Sequence, residues 1–182
     1  MPRFVAFLRA VNLGGRTVKM DRPRALFEEL GFSNVKTFIA SGNVIFESRS
    51  RSTDKLEGAI AKRLKEALGF DVATFVRSEA EIRAVEAHQP FSKSDISAPK
   101  HSLYVAFLRQ EPDSHCAKAL FDRRSDFDDF HVNGREVYWL CRGRFSESPT
   151  SSNELERILK CSATVRNATT VRKLIALHFG ES

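Results

Sequence analysis

The sequence predicts an α+β protein made of two similar halves, each a ferredoxin-like βαββαβ unit with one additional helix. The string Val-Ala-Phe-Leu-Arg occurs at 5–9 and again at 105–109, and such self-similarity indicates repeated units. The patterns after each copy also come in the same order of strand, helix, hairpin, helix, strand and helix. We therefore expect an internal duplication.

In the first half, turn residues separate β-forming runs from helical ones. The predicted strands are Arg3–Arg9, Val35–Ile39, Asn43–Glu47 and Asp71–Arg77. Asp21 and Pro23 begin a helix that Gly31 ends. Apolar residues at helical spacing predict a longer helix over Asp54–Leu68. Ser78 and Glu81 form a capping box that predicts a short third helix.

The second half repeats this order. Its predicted strands are His101–Arg109, Phe127–Val132, Glu136–Cys141 and Ala163–Val165. Asn133-Gly134 is a strong hairpin signal between two of them. The predicted helices run from Ser114 to Arg123, from a capping box at Ser151 to Lys160, and from a cap at Thr169 to Phe179. Residues 1–88 and 101–182 are the two halves, and 89–100, with Pro90, Pro99 and several serines, is the predicted linker.

The first strand is apolar on both faces. Phe4, Ala6 and Leu8 lie on one side, and Val5 and Phe7 on the other. Strands of this kind are covered on both faces, whereas RNA-recognition modules on this topology need an open, aromatic sheet face. We therefore expect both sheets to be covered on both faces.

Bulk composition is that of an ordinary globular protein. The 182 residues are 42% hydrophobic and 29% charged. No apolar run has the length of a membrane span or the flanks of a signal peptide, so we expect a cytoplasmic protein. The cysteines Cys116, Cys141 and Cys161 are far apart, which predicts reduced thiols. The histidines show no metal-ligand spacing, so we expect no metal, and we expect no cofactor.

The net charge is +6, and the excess is uneven. Residues 157–180 contain five basic residues and no carboxylate. Such a block can attract a phosphate or a nucleic-acid backbone. We favour the alternative of a solubilising or acid-paired surface, because nucleic-acid binders usually carry a denser basic face.

Two loops of the first half should lie at the same end of its sheet, because strands one and two run in the same direction. They are rich in glycine and small polar residues, whose backbone N–H groups can hold an anion. The candidate ligand-binding residues there are Arg9, Asn12, Gly14, Gly15, Ser41, Gly42 and Asn43. The structural alternative is that these residues only form turns.

A second candidate precedes the last helix. With Thr169 as its cap, Arg166 and Asn167 would stand just before a positive helix end, with Thr170 in the first turn. An anion could bind there. The alternative is a capped helix beside a solvated arginine.

The segments LRAVNLGGRTVKM, LFEELGFSNVKTFIASGNVIF and ATVRNATTVRKLIAL resemble the domain-of-unknown-function 1697 family over essentially the whole chain. The resemblance implies a bacterial α+β protein with two ferredoxin-like halves and no established activity. The family's usual motif residues fall on the ten candidates above. The chain departs from the family at Ala10, Ala40 and Ala168, where glycine, glutamine and tryptophan are common.

The hypothesis from the sequence is binding of a small anionic ligand, or of a nucleic-acid phosphate, at the loop end of the first half. One alternative is an enzyme with a cleft between the halves, although no carboxylate or histidine lies in these loops to act as acid or base. The other is a protein-interaction module. The oligomeric state stays open.

Overall fold

The computed structural model describes residues 1–9, 11, 15, 17–39 and 42–180. The chain divides into two compact units. Unit 1 comprises Met1–Ala84 and Leu174–Ser182, and unit 2 comprises Val85–Lys173. Each unit contains one four-stranded antiparallel sheet with helices between its strands, so the predicted α+β class is confirmed.

Unit 1 contains the sheet order β2-β3-β1-β4. Its strands are β1 (Arg3–Leu8), β2 (Ser33–Phe38), β3 (Asn43–Glu47) and β4 (Thr74–Ser78). Its helices are α1 (Asp21–Glu29), α2 (Thr53–Leu68) and most of α3 (Glu79–Ala87). The capping box predicted for α3 is present, since Ser78 N donates to Glu81 Oε2 at 2.7 Å and Glu81 N to Ser78 Oγ at 3.3 Å.

The central strand β1 is buried on both faces, as predicted. Phe4, Ala6 and Leu8 pack with α1 and α2 in one hydrophobic core. Val5 and Phe7, on the opposite face, are also 0% exposed. Burial of apolar surface is the main favourable contribution to folding, so both faces of this sheet contribute to the stability of unit 1.

Unit 2 contains the sheet order β6-β7-β5-β8. Its strands are β5 (Ser102–Leu108), β6 (Asp128–Asn133), β7 (Glu136–Cys141) and β8 (Ala163–Asn167). Its helices are α4 (Lys93–Ser97), α5 (Ser114–Phe121), α6 (Ser152–Leu159) and the first part of α7 (Ala168–His178). The segment predicted as a linker, 89–100, therefore contains a helix.

The two sheets repeat the same register. In unit 1, Val5 pairs with Arg77, and in unit 2 Val105, the equivalent residue of the repeated string, pairs with Arg166. The last residue of each strand matches as well, because Leu8 N donates to Gly42 O at 2.7 Å and Leu108 N to Arg135 O at 2.8 Å. This correspondence favours the predicted duplication.

The predicted elements differ from the observed ones mainly at their ends. The bounds of β3 and β7 are as predicted, whereas β4 begins at Thr74 and β8 extends to Asn167. Among the residues that the structure describes, no helix has the length and apolar character needed to cross a membrane.

A glycine substitution tests the hairpin between β2 and β3. Gly42 has φ +82°, and a Cβ there would lie 2.8 Å from the Leu8 carbonyl oxygen. Gly31 has the same φ of +82°, with nothing within 4 Å of an added Cβ. We expect Gly42→Ala to lower the free energy of unfolding by about 3 kcal/mol and Gly31→Ala by about 1–2 kcal/mol. Urea denaturation measures both, and equal losses would contradict the close approach at Gly42.

Candidate functional site

Unit 2 contains a cavity of about 300 Å³ beside its sheet. We call it the unit 2 cavity. It lies on the sheet face opposite the core that α5 and α6 cover. Its apolar lining residues are Val85, Ile96, Leu103, Val105, Ala168 and Val171. Its charged and polar lining residues are Glu86, His88, Gln89, Lys93, Ser97 and Arg172, together with the phenol of Tyr138.

The sheet supplies the floor of the cavity through neighbouring strands β5 and β7. Val105 pairs directly with Tyr138 across these strands. The Tyr138 hydroxyl donates to the Val85 carbonyl at 3.0 Å, and burial raises the pKa of this phenol above its ordinary value. Tyr138 is therefore a neutral, fixed hydrogen-bond donor that holds the end of α3 at the floor.

Helix α7 supplies a second wall. Ala168, Val171 and Arg172 line the cavity from its first turns. The Asn167 side chain accepts from Thr169 N at 2.8 Å, so Asn167 caps the helix and the expectation that Thr169 is the cap is wrong. The helix starts two residues earlier than expected because an asparagine oxygen is as good a cap as a threonine hydroxyl.

The short helix α4 forms a third wall, and long-range contacts fix its position. Ser92 Oγ accepts from Asp95 N at 3.2 Å at its start. Arg142 donates two hydrogen bonds to the Asp95 carboxylate, at 3.2 and 2.7 Å, and His101 Nδ1 lies 3.1 Å from Asp95 Oδ1. The hydrogen bonds from Arg142 lower the pKa of Asp95, so this carboxylate is ionised at neutral pH.

His88 lies at the end of α3 and lines the cavity. Its ring centroid is 5.0 Å from that of Tyr138 and 5.0 Å from that of His131. Its Nε2 is buried and has no hydrogen-bond partner among the described residues. Burial is the main cause that lowers the pKa of His131, and the neighbouring His88 lowers it further. An imidazole nitrogen buried without a partner costs stability, which marks His88 as the most unusual polar group of this wall.

The candidate residues of the first half lie partly outside the described residues. Asn12, Gly14 and Ser41 are among those that the structure does not describe, as are Ala10 and Ala40. Gly42 and the end of β1 are adjacent, as predicted, because Leu8 N donates to Gly42 O. Arg9 follows directly, and its own N donates to the Ala73 carbonyl at 2.9 Å.

Asn43 and Gly15 differ in what surrounds them. Asn43 is 0% exposed, and its amide donates to the Phe38 carbonyl at 2.9 Å. This contact closes the β2–β3 hairpin, so the side chain supports the turn. Gly15 has φ +78° and is exposed, with open space around the position of a Cβ. These placements favour the turn interpretation for Asn43 and leave Gly15 accessible.

The candidates near α7 all belong to unit 2. Arg166 lies within β8, and its Nη1 donates to Thr164 Oγ1 at 2.7 Å and to the Val165 carbonyl at 3.0 Å. Burial lowers its pKa to about 10. Asn167 caps α7, and Thr170 is half-buried in its first turn. The guanidinium is therefore held against the sheet rather than solvated before a helix end.

The surroundings of the three cysteines keep their thiols protonated. Cys116, Cys141 and Cys161 are free, and burial raises the pKa of each thiol, that of Cys141 to about 12. A thiol that stays protonated is a poor nucleophile. These three thiols are therefore poor candidates for a catalytic nucleophile.

Sequence reasoning missed the unit 2 cavity. Most of its polar residues come from the predicted linker and from helix ends, and their spacing in the sequence matches no binding motif. One signal was present, since Ser92 followed three residues later by Asp95 is a helix-capping pattern. A second was the apolar second face of β5, which requires a cover.

The comparisons with known proteins give a family and a fold. A family model described as "Protein of unknown function (DUF1697)" matches residues 1–138. The solved structure of the conserved bacterial protein SP0830 from Streptococcus pneumoniae superposes with a TM-score of 0.72 at 19% identity, over 95% of this chain and 96% of that chain. At this identity the likeness shows the fold alone. No curated protein matches the chain.

The Asp95–Arg142 contact should control the mobility of the α4 wall. Both side chains are partly exposed, at 30% and 25%, so the pair contributes up to about 1 kcal/mol. We expect Arg142→Ala to raise amide hydrogen exchange in 93–97 about fivefold and to return the pKa of Asp95 toward its ordinary value. Hydrogen-exchange mass spectrometry and an NMR pH titration measure these effects.

The control is Arg144→Ala, which removes an exposed arginine two residues away. In the wild type, the stabilisation by Asp95 is present above its ordinary pKa and is lost as the pH falls through its lowered pKa. The protection factors of 93–97, which correct for the pH dependence of intrinsic exchange, should therefore fall in acid. Unchanged exchange in Arg142→Ala would contradict the role given to this contact.

Proposed function

The chain belongs to the DUF1697 family of proteins of unknown function, and we propose that it binds a small organic molecule in the unit 2 cavity. The observation that carries the proposal is the cavity itself, with a volume of about 300 Å³ and a lining of apolar side chains and several polar groups. Small-molecule sites have this size and this composition. The volume corresponds to about ten water molecules of bulk liquid.

The walls are fixed before a ligand arrives. The Tyr138 hydroxyl is bonded to the Val85 carbonyl, and Arg142 holds Asp95 on α4. Fixed walls favour binding, because less conformational freedom is lost when the ligand enters. This arrangement supports a preformed site rather than a gap that closes in solution.

Binding is a better proposal than catalysis for this cavity. Tyr138 is neutral because burial raises its pKa, and its hydroxyl already donates to a backbone carbonyl. Glu86 and His88 line the cavity, but general acid–base chemistry also needs a reacting group that one of them could reach. Recognition requires only the shape and the polar contacts that the lining provides.

A second candidate function is anion binding at the loop end of unit 1, where the sequence predicts Arg9, Gly15 and Gly42. The observation that favours it is backbone strain in the hairpin. Ile39 is 53% exposed and has φ +59°, a conformation that β-branched residues rarely adopt. Strain of this kind concentrates at functional sites.

Filling the unit 2 cavity tests the first proposal. The series Ala168→Val, Ala168→Phe and Ala168→Trp adds increasing volume at a half-buried lining position. We expect binding of 3-phenylpropanol, measured by ligand-observed NMR, to fall along the series and to be lost in Ala168→Trp, while the melting temperature stays equal or rises.

Ala59→Trp is the matched control, because Ala59 is exposed on α2 of unit 1. It should leave binding unchanged. If Ala168→Trp kept its fold and still bound the probe with wild-type affinity, the cavity would not be the site.

Titration with inorganic phosphate tests the second candidate. We expect amide shifts at Arg9, Gly15 and Gly42 in NMR spectra, and their loss in Arg9→Ala but not in Arg51→Ala, an exposed arginine elsewhere in unit 1. A nucleic-acid phosphate would instead give a gel-mobility shift that weakens with salt. No shift with either anion, and no difference between the two variants, would remove this candidate.

A further inference from the structure

We propose that the ligand of the unit 2 cavity is a small organic monocarboxylate with an apolar body, an inference that rests on the function proposed above. Its carboxylate would be bound by Lys93 and Arg172, and its body would lie against the apolar face of β5. The charge of the lining and its apolar residues each support this class of ligand.

The charged lining carries an excess of one positive charge. Lys93 and Arg172 are the cations, and Glu86 is the acidic residue. In the described part of the chain, neither cation forms an ion pair; Arg172 only donates to Thr169 Oγ1 at 3.4 Å. Both side chains are exposed, so they retain the freedom to turn toward an anion. A ligand with a single negative charge would balance the lining.

The rest of the lining selects against highly charged ligands. Leu103 and Val105 on the sheet and Val171 on α7 present apolar surface to the cavity. A phosphate ester would bring more charge and more acceptor oxygens than these walls can satisfy, and burying unsatisfied polar atoms is costly. An aromatic or aliphatic body of about ten atoms fits the volume of about 300 Å³.

Three probes with one body and different head groups test the inference on the full chain. They are 3-phenylpropionate, 3-phenylpropan-1-ol and 3-phenylpropylamine. Isothermal titration calorimetry should give the tightest binding for the acid, about tenfold weaker binding for the alcohol, and the weakest for the amine. Equal affinities would overturn the carboxylate inference and leave the binding function intact. Binding of none of the three would overturn both.

Two variants then assign the head group contacts. Lys93→Ala removes one cation of the lining, so it should weaken the acid severalfold and leave the alcohol unchanged. Arg172→Ala should weaken the acid severalfold and leave the alcohol unchanged, whereas Lys173→Ala, its exposed neighbour outside the lining, should change neither.

The double variant makes the test decisive. Arg172→Ala and Lys93→Ala alter exposed side chains, so the variants should fold. If the preference for the acid over the alcohol persisted at full size in the Lys93→Ala, Arg172→Ala double variant, the assignment of the carboxylate contacts would be wrong.

Discussion

The structure of both units depends on a central strand that is apolar on its two faces. β1 and β5 each contain the valine that begins the repeated string, and Val5 and Val105 are 0% and 2% exposed. A strand of this kind is stable only when both faces of its sheet are covered, because exposed apolar surface costs free energy. The helices between the strands cover one face, so each unit needs further chain to cover the other.

In unit 2, an uneven cover of the second sheet face produces the cavity. The helices that line it there are the end of α3, three residues of the short helix α4 and the start of α7. Two of these walls are the end of α3 and the start of α7. Small or polar residues stand there in place of a continuous row of apolar side chains facing the sheet. Ala168 is such a residue, and it lines the cavity from the start of α7. The candidate site is thus a consequence of how one sheet face is covered.

The elements that the sequence predicted well are those whose signals are local. The Asn133-Gly134 turn joins β6 and β7, and the Ser78–Glu81 capping box starts α3. The position of α4 could not be predicted in this way. It depends on Asp95 and Arg142, which are 47 residues apart in the chain, and five mostly polar residues carry no helical periodicity. For the same reason, His88 was unremarkable in the sequence, since only the packing of its ring shows that Nε2 lacks a partner.

Equivalent positions of the two sheets carry different chemistry. Arg77 and Arg166 occupy equivalent positions, and each donates Nη1 to the carbonyl of the preceding residue at 3.0 Å. In unit 1, Glu57 Oε1 lies 3.8 Å from Arg77 Nη1, and both side chains are 0% exposed. In unit 2, Arg166 Nη1 donates to Thr164 Oγ1, and burial lowers the pKa of Arg166. The shared strand register fixes where each arginine stands, and the side chains that surround it differ between the units.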